Sequence, residues 1–131
     1  MTIINSVLIA NRGEIAIRIS KTLNEMGIKA YGIYSKDDSS SAHLSYCSEV
    51  FELNGTGPSA YLNIDEIISL AKSKKIKAVH PGYGFLSENH AFAASCAKND
   101  IIFIGPNEKT LKSFGNKEKA KKLAQKLGIP V

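Results

Sequence analysis

The densest chemistry in the sequence lies in one run, His80-Pro81-Gly82-Tyr83-Gly84-Phe85-Leu86-Ser87-Glu88-Asn89. It brings an imidazole, a phenol, a hydroxyl and a carboxylate within ten residues. Two glycines flank the tyrosine. Glycine reaches backbone angles closed to other residues and lets a ligand approach the main chain. Pro81 fixes one torsion and removes a donor. Ser87 stands where an N-cap would stand ahead of a helical segment, and free N–H groups at a helix start favour anions. An apolar run ends just before, at Ala78-Val79. The pattern is strand, sharp turn, helix start. In an open α/β sheet such turns sit at the carboxyl ends of strands, where ligands bind. The alternative is a tight loop around a packed tyrosine.

Other candidates are weaker. The net charge of +5 comes wholly from residues 105–131, where seven lysines (109, 112, 117, 119, 121, 122 and 126) face two glutamates. A nucleic-acid surface needs aromatic or groove-reading partners, and that segment offers only Phe114. A solvated helix face, or a single lysine on a phosphate, explains the charge better. His43 has no second ligand at metal spacing and reads as structural or solvated. Asn54-Gly55-Thr56-Gly57-Pro58-Ser59 lacks the Gly-Lys-Ser/Thr of a phosphate loop. Cys47 and Cys96 have neither motif spacing nor secreted context and read as small buried hydrophobes in a reduced, cytosolic protein.

These groups must be positioned by a sheet. Ser6-Val7-Leu8-Ile9-Ala10 is apolar throughout, as a strand covered on both faces is. Asn11-Arg12-Gly13 turns the chain, and Arg12 is expected to order that turn around Glu14. Glu14 opens a helix whose core-facing stripe is Ile15, Ile19, Leu23 and Met26, ended by Gly27. Arg18, Lys21 and Glu25 share another face, as a solvated pair network or a partner contact. Lys29-Ala30-Tyr31-Gly32-Ile33-Tyr34 is a second strand, completing a βαβ unit. One glycine in the first turn excludes a standard NAD fingerprint, so Asp37 and Asp38 read as loop carboxylates. Ser39-Ser40-Ser41 precedes a short helix over residues 42–46. Strands follow at 49–53, 77–80 and 101–104. Helices follow at 64–74 with Asn63 as cap, and at 87–98 with Phe92, Ala93, Cys96 and Ala97 inward. A helix from Asn107 to Phe114 is broken by Gly115-Asn116, and a second runs from Lys117 to Leu127. Ile129-Pro130-Val131 looks like the start of a further strand, so the chain is expected to be the front piece of a longer polypeptide.

With 44% hydrophobic and 22% charged residues the chain is neither disordered nor fibrous. No apolar run approaches a membrane span, and no basic n-region marks a signal peptide. The fold class is α/β: a Rossmann-like three-layer α/β/α domain on a mostly parallel five-stranded sheet, followed by C-terminal helices.

Four stretches carry a family resemblance in register. Ile9-Ala10-Asn11-Arg12-Gly13-Glu14-Ile15-Ala16 resembles the opening motif of biotin carboxylases. Tyr61-Leu62-Asn63-Ile64, residues 80–89 and Phe103-Ile104-Gly105-Pro106 match the same family in order. Gly115-Asn116-Lys117 and Gly128-Ile129-Pro130-Val131 fit as well, with Asn116 where many members carry Asp. The resemblance implies a Rossmann-like N-terminal domain over residues 1–106, with residues 107–131 leading into an ATP-grasp domain beyond the sequence. It implies an enzyme using ATP, Mg²⁺ and bicarbonate to make carboxyphosphate and carboxylate biotin on a carrier. The carrier domain or protein and a carboxyltransferase component would be its partners, and a homodimer its state. Residue by residue, Lys117 falls on the ATP-contacting lysine, at what the spacing predicts to be a helix start. Tyr83 and Gly84 fall on the biotin-facing loop. Glu88 falls on the active-site rim. Arg18, Lys21 and Glu25 fall on a dimer-contact helix. No metal ligand and no complete catalytic set falls within the chain, so the 131 residues alone are expected to be inactive. The localisation implied is cytoplasmic, or the mitochondrial matrix in a eukaryote. The acceptor, whether acetyl-CoA, propionyl-CoA, methylcrotonyl-CoA, pyruvate or urea, is not separated by these motifs. A different ATP-grasp ligase and a non-catalytic nucleotide or metabolite sensor are the competing readings.

Overall fold

The computed structural model describes residues 3–128. Five strands, β1 (Ser6–Ile9), β2 (Lys29–Tyr34), β3 (Glu49–Glu52), β4 (Ala78–His80) and β5 (Ile102–Phe103), form one sheet in the order β3-β2-β1-β4-β5. Every pairing is parallel. The first strand is therefore central, with Leu8 opposite Tyr31 on one side and Val79 on the other. All four of its residues are buried, which is why its sequence does not alternate.

Four α-helices connect and cover the strands: α1 (Gly13–Glu25), α2 (Ile64–Ser73), α3 (His90–Lys98) and α4 (Glu108–Lys126). Successive strand residues point to opposite faces. Leu8, Ala10, Tyr31, Ile33 and Val79 meet Ile67, Ile68 and Ala71 of α2 and Phe92 and Cys96 of α3. On the other face Val7, Ile9, Ala30 and Ala78 meet Ala16 and Leu23 of α1. The layers are thus α/β/α, as expected.

Local physics explains the helix ends. Asn63 accepts from the Glu66 N–H, as predicted, and Gly27 takes a left-handed φ of 71° after α1. Four expectations fail. Ser87 is not the cap of α3; its own N–H donates to the Gly84 carbonyl, and Asn89, two residues later, accepts from the Phe92 N–H instead. Gly115-Asn116 does not break α4, which runs continuously for 19 residues. A mid-helix glycine costs only about 1 kcal/mol. Met26 is 65% exposed and the inward stripe of α1 is Ala16, Ser20 and Leu23. Ala97 is exposed, because the inward face of α3 is spent on Phe92, Ala93 and Cys96. The expected strand start at Ile129–Val131 lies outside the described residues.

Residues 42–46 form a 3₁₀ turn, not an α-helix, with His43 fully buried beneath it. Its Nε2 donates to the Ile33 carbonyl and its Nδ1 accepts from Ser41. His43 is structural and not solvated. No helix among the described residues is long and apolar enough to cross a membrane.

Candidate functional site

The carboxyl ends of β1 and β4 lie side by side, and the turns that follow them interlock. Asn11, 3% exposed, leaves β1 and points its amide at the bend after β4. Its Nδ2 donates to the Pro81 carbonyl at 2.8 Å and to the Tyr83 carbonyl at 2.7 Å. Its Oδ1 accepts from the Arg12 N–H. Both donors and the oxygen of one buried amide are thereby engaged, two of the three bonds reaching across some seventy residues of chain.

Gly82 fits only as glycine. Its φ is +67°, and a Cβ there would stand 2.5 Å from Asn11 Nδ2 and 2.9 Å from Ile15 Cγ2. Its N–H donates to His80 Nδ1 at 3.1 Å, so that nitrogen carries no proton. Burial pushes the His80 pKa down, which keeps the acceptor available. Gly84 differs. Its φ is +66°, but nothing lies within 4 Å of where a Cβ would be. The backbone there faces open space. Tyr83, between the two, is 77% exposed. Beyond it Phe85 takes a left-handed φ of 45° with its ring 5.2 Å from that of Tyr61, and Leu86 is buried. The bend is anchored on both sides while its tip projects. Glu88 is exposed two residues past that anchor.

A second tie closes the neighbouring turn. Arg12 Nε donates to Asp38 Oδ2 at 2.8 Å, and the Tyr61 hydroxyl donates to the same oxygen while accepting from the Ser35 N–H. The guanidinium holds the Asp38 carboxyl below its ordinary range, and Asp38 in turn raises the Arg12 pKa. Arg12 therefore orders the turn at Asp38 after β2, not around Glu14. Asp37, held low by the Gly57 N–H, is a loop carboxylate as expected.

Lys117 stands exposed within α4, in a shallow depression with Lys109, Thr110 and Ser113. Being mid-helix, it has no free N–H groups beside it; those belong to the start of α4, where Asn107 accepts from the Thr110 N–H. None of the bend residues lines that depression. Arg18, Lys21 and Glu25 are all exposed on α1. They form no ion pair with one another, against the pair-network expectation; the one salt bridge among the described residues is Arg12–Asp38. Lys21 instead places Nζ 5.2 Å from the Tyr46 ring centre. Arg18 edges an apolar groove with Ile4, Ile19, Met26 and Ile104. Among the described residues no three His, Cys, Asp or Glu side chains are grouped to hold a metal. Cys47 and Cys96 are free, and burial pushes both thiols up to about 11.

Sequence reasoning found the bend but missed what holds it. Asn11 read as an ordinary turn residue, because a contact of such separation leaves no local signature. The only available signal was a pairing of types: a lone amide after one apolar strand and a glycine bend after another.

A parallel sheet flanked by helices, with a projecting, glycine-flanked bend at the carboxyl end of β4 beside the central strand, defines a Rossmann-like lobe. Residues 3–111 match the family model described as biotin carboxylase, N-terminal domain, and the chain belongs to that family. It is 50% identical over 131 residues to pyruvate carboxylase of Bacillus subtilis, covering 98% of this chain and 11% of that protein. It is 44% identical over 126 residues to biotin carboxylase 2 of the same organism, covering 95% of this chain and 28% of that protein. Among solved structures, the biotin carboxylase domain dimer of Hydrogenobacter thermophilus 2-oxoglutarate carboxylase, in complex with MgADP, ADP and bicarbonate, superposes with a TM-score of 0.87 at 37% identity. That match covers 100% of this chain and 29% of the other. The chain thus spans less than a third of the length of these relatives.

Proposed function

We propose that this domain is the front lobe of a biotin carboxylase, an ATP-dependent C–N ligase that carboxylates carrier-bound biotin from bicarbonate. One observation carries the reading: the family match includes a bend whose tyrosine is exposed and whose second glycine faces open space. ATP with Mg²⁺ supplies the activation of bicarbonate, and biotin supplies the accepting ureido nitrogen. This chain supplies walls and contacts. The ring and hydroxyl of Tyr83 and the main chain of Gly84 face biotin, where a projecting phenol gives both an apolar surface and a hydrogen-bonding tip. Glu88 stands at the rim. Lys117 meets ATP as a point charge from the side of α4, without help from a helix terminus. No Mg²⁺ ligand is assigned to this chain.

Residues 1–106 form the lobe and 107–131 the lead into an ATP-grasp domain. Arg18, Lys21 and Glu25, exposed and unpaired with each other on α1, face a second copy in a homodimer. The partners are a biotinylated carrier and a carboxyltransferase, and the compartment is the cytoplasm, or the mitochondrial matrix in a eukaryote. The relatives divide among pyruvate, urea and methylcrotonyl-CoA carboxylases, so the final acceptor is left at that class.

The test is kinetic, in the intact protein supplied with ATP, Mg²⁺, bicarbonate and free biotin. Tyr83→Ala is expected to raise KM for biotin and Lys117→Ala to raise KM for ATP, each by about tenfold, the effect of losing one charged or aromatic contact. Parent-like kinetics in both variants would refute the assignment. The 131-residue chain alone is expected to release no phosphate above background.

A further inference from the structure

The bend after β4 is held from outside its own segment, by the turn that follows β1. Its two carbonyls at Pro81 and Tyr83 are both taken by one amide, that of Asn11, at 2.8 and 2.7 Å. The site of Gly82 is filled on the inner side by the same amide and by Ile15. Within the bend, the main-chain bonds nearest the tip are Gly82 N–H to His80 Nδ1 and Ser87 N–H to the Gly84 carbonyl. Neither spans Tyr83. A tip with two left-handed glycines and a left-handed phenylalanine has many alternatives open to it unless something external selects one.

We propose that Asn11 is the positioning residue of the Tyr83 bend: it clamps the bend in its projecting conformation before any ligand arrives. Its amide fits the bend's shape: with Gly82 at φ +67° both carbonyls converge on one nitrogen. An acid at this position would keep the acceptor for Arg12 N–H but turn both donors into a negative charge facing two carbonyl oxygens. Asn11 itself touches no ligand. It fixes where the Tyr83 ring and the Gly84 backbone stand, and so lowers the ordering cost of binding. The role in catalysis rests on the biotin-facing reading given above; the clamp itself does not.

The experiment uses the intact protein and three variants, Asn11→Asp, Gly82→Ala and Tyr83→Ala. Gly82→Ala attacks the same contact from the opposite element, so the clamp is testable even where one variant folds poorly. Native-state chymotrypsin digestion reads the bend directly. Cleavage after Tyr83 is expected to be about tenfold faster in Asn11→Asp and Gly82→Ala, with no acceleration after the buried Tyr61. Equal acceleration at both tyrosines marks global loosening and overturns the clamp, as does cleavage at the parent rate. In carboxylation of free biotin, both variants are expected to raise KM for biotin about tenfold and leave KM for ATP within about twofold. A parallel rise in both constants overturns the positioning role. Tyr83→Ala separates the two claims. If it leaves biotin kinetics unchanged, the ligand reading fails and the proteolysis still decides the clamp. If it raises KM for biotin while Asn11→Asp and Gly82→Ala do not, the ligand reading stands and the positioning role fails.

Discussion

The two faces of the sheet are built from the same strands and could hardly differ more. Beneath α2 and α3 the core is thick and almost purely apolar, running from Leu8 and Val79 through Ile67 and Phe92 to Tyr61 and Leu53. Beneath α1 it is thin: six buried residues, with Ile4, Ile19, Ile28 and Ile104 only partly covered. The groove edged by Met26 and Ile104 lies on this second face, and so does the half-buried His80. The imidazole of His43 is shut under the turn that packs on α1. One face supplies rigidity. The other carries the imidazoles of His43 and His80.

The contrast breaks first at Phe92. It is fully buried and meets Phe103 edge-on at 5.8 Å. Phe92→Ala is expected to cost about 3–5 kcal/mol in urea unfolding, through lost transfer energy and a cavity. A loss comparable to that from a residue on the α1 face would erase the distinction between the two layers. Next comes acid. Burial lowers the pKa of both His43 and His80, so the unfolded chain binds more protons than the folded one below about pH 6.5. Stability from these two groups is therefore present above that pH and is lost as pH falls, at most about 1.4 kcal/mol per pH unit for each imidazole. His43→Asn is expected to flatten the pH 7 to 5 profile of unfolding free energy; a slope identical to the parent's would mean the imidazole is not shielded from protons.

Ile19→Ala probes the thin face itself. Ile19 is only partly covered, so about 1 kcal/mol is expected, well below Phe92. A larger value would reveal packing that the groove does not show. Smaller still is Asp38→Asn. The Arg12 side chain is 44% exposed, and screening holds such a pair to about 1 kcal/mol or less. Because the Asp38 pKa is lowered, its contribution is present above about pH 4 and disappears as acid titrates the carboxyl. Parent and variant unfolding curves should converge at low pH.

The apolar strands and the spacing of α2 were legible because each is decided by burial within its own segment. Boundaries were not. Ser87 and Asn89 are both good caps; α3 begins only at His90, so Asn89 caps it and Ser87 lies in the turn closed to Gly84. Gly115 signalled a break whose local cost is too small to interrupt a 19-residue helix. At the site, the glycine-flanked Tyr83 was visible as a motif, and its exposure follows. The clamp was invisible, since Asn11 and Pro81 meet only after a sheet has brought them together. Lys117 was misplaced at a helix start for the same reason that Gly115 misled.

The central position of β1 also sets a timetable. Its first neighbour, β2, follows within thirty residues, but its other edge stays unpaired until β4 has emerged, some forty residues after β2 ends. At about 5–20 residues per second of synthesis, a bare, wholly apolar strand edge persists for a few seconds on the ribosome. Nascent chains stalled short of His80 are thus the sticky ones, and the seam between β1 and β4 is the last part of the sheet's centre to close.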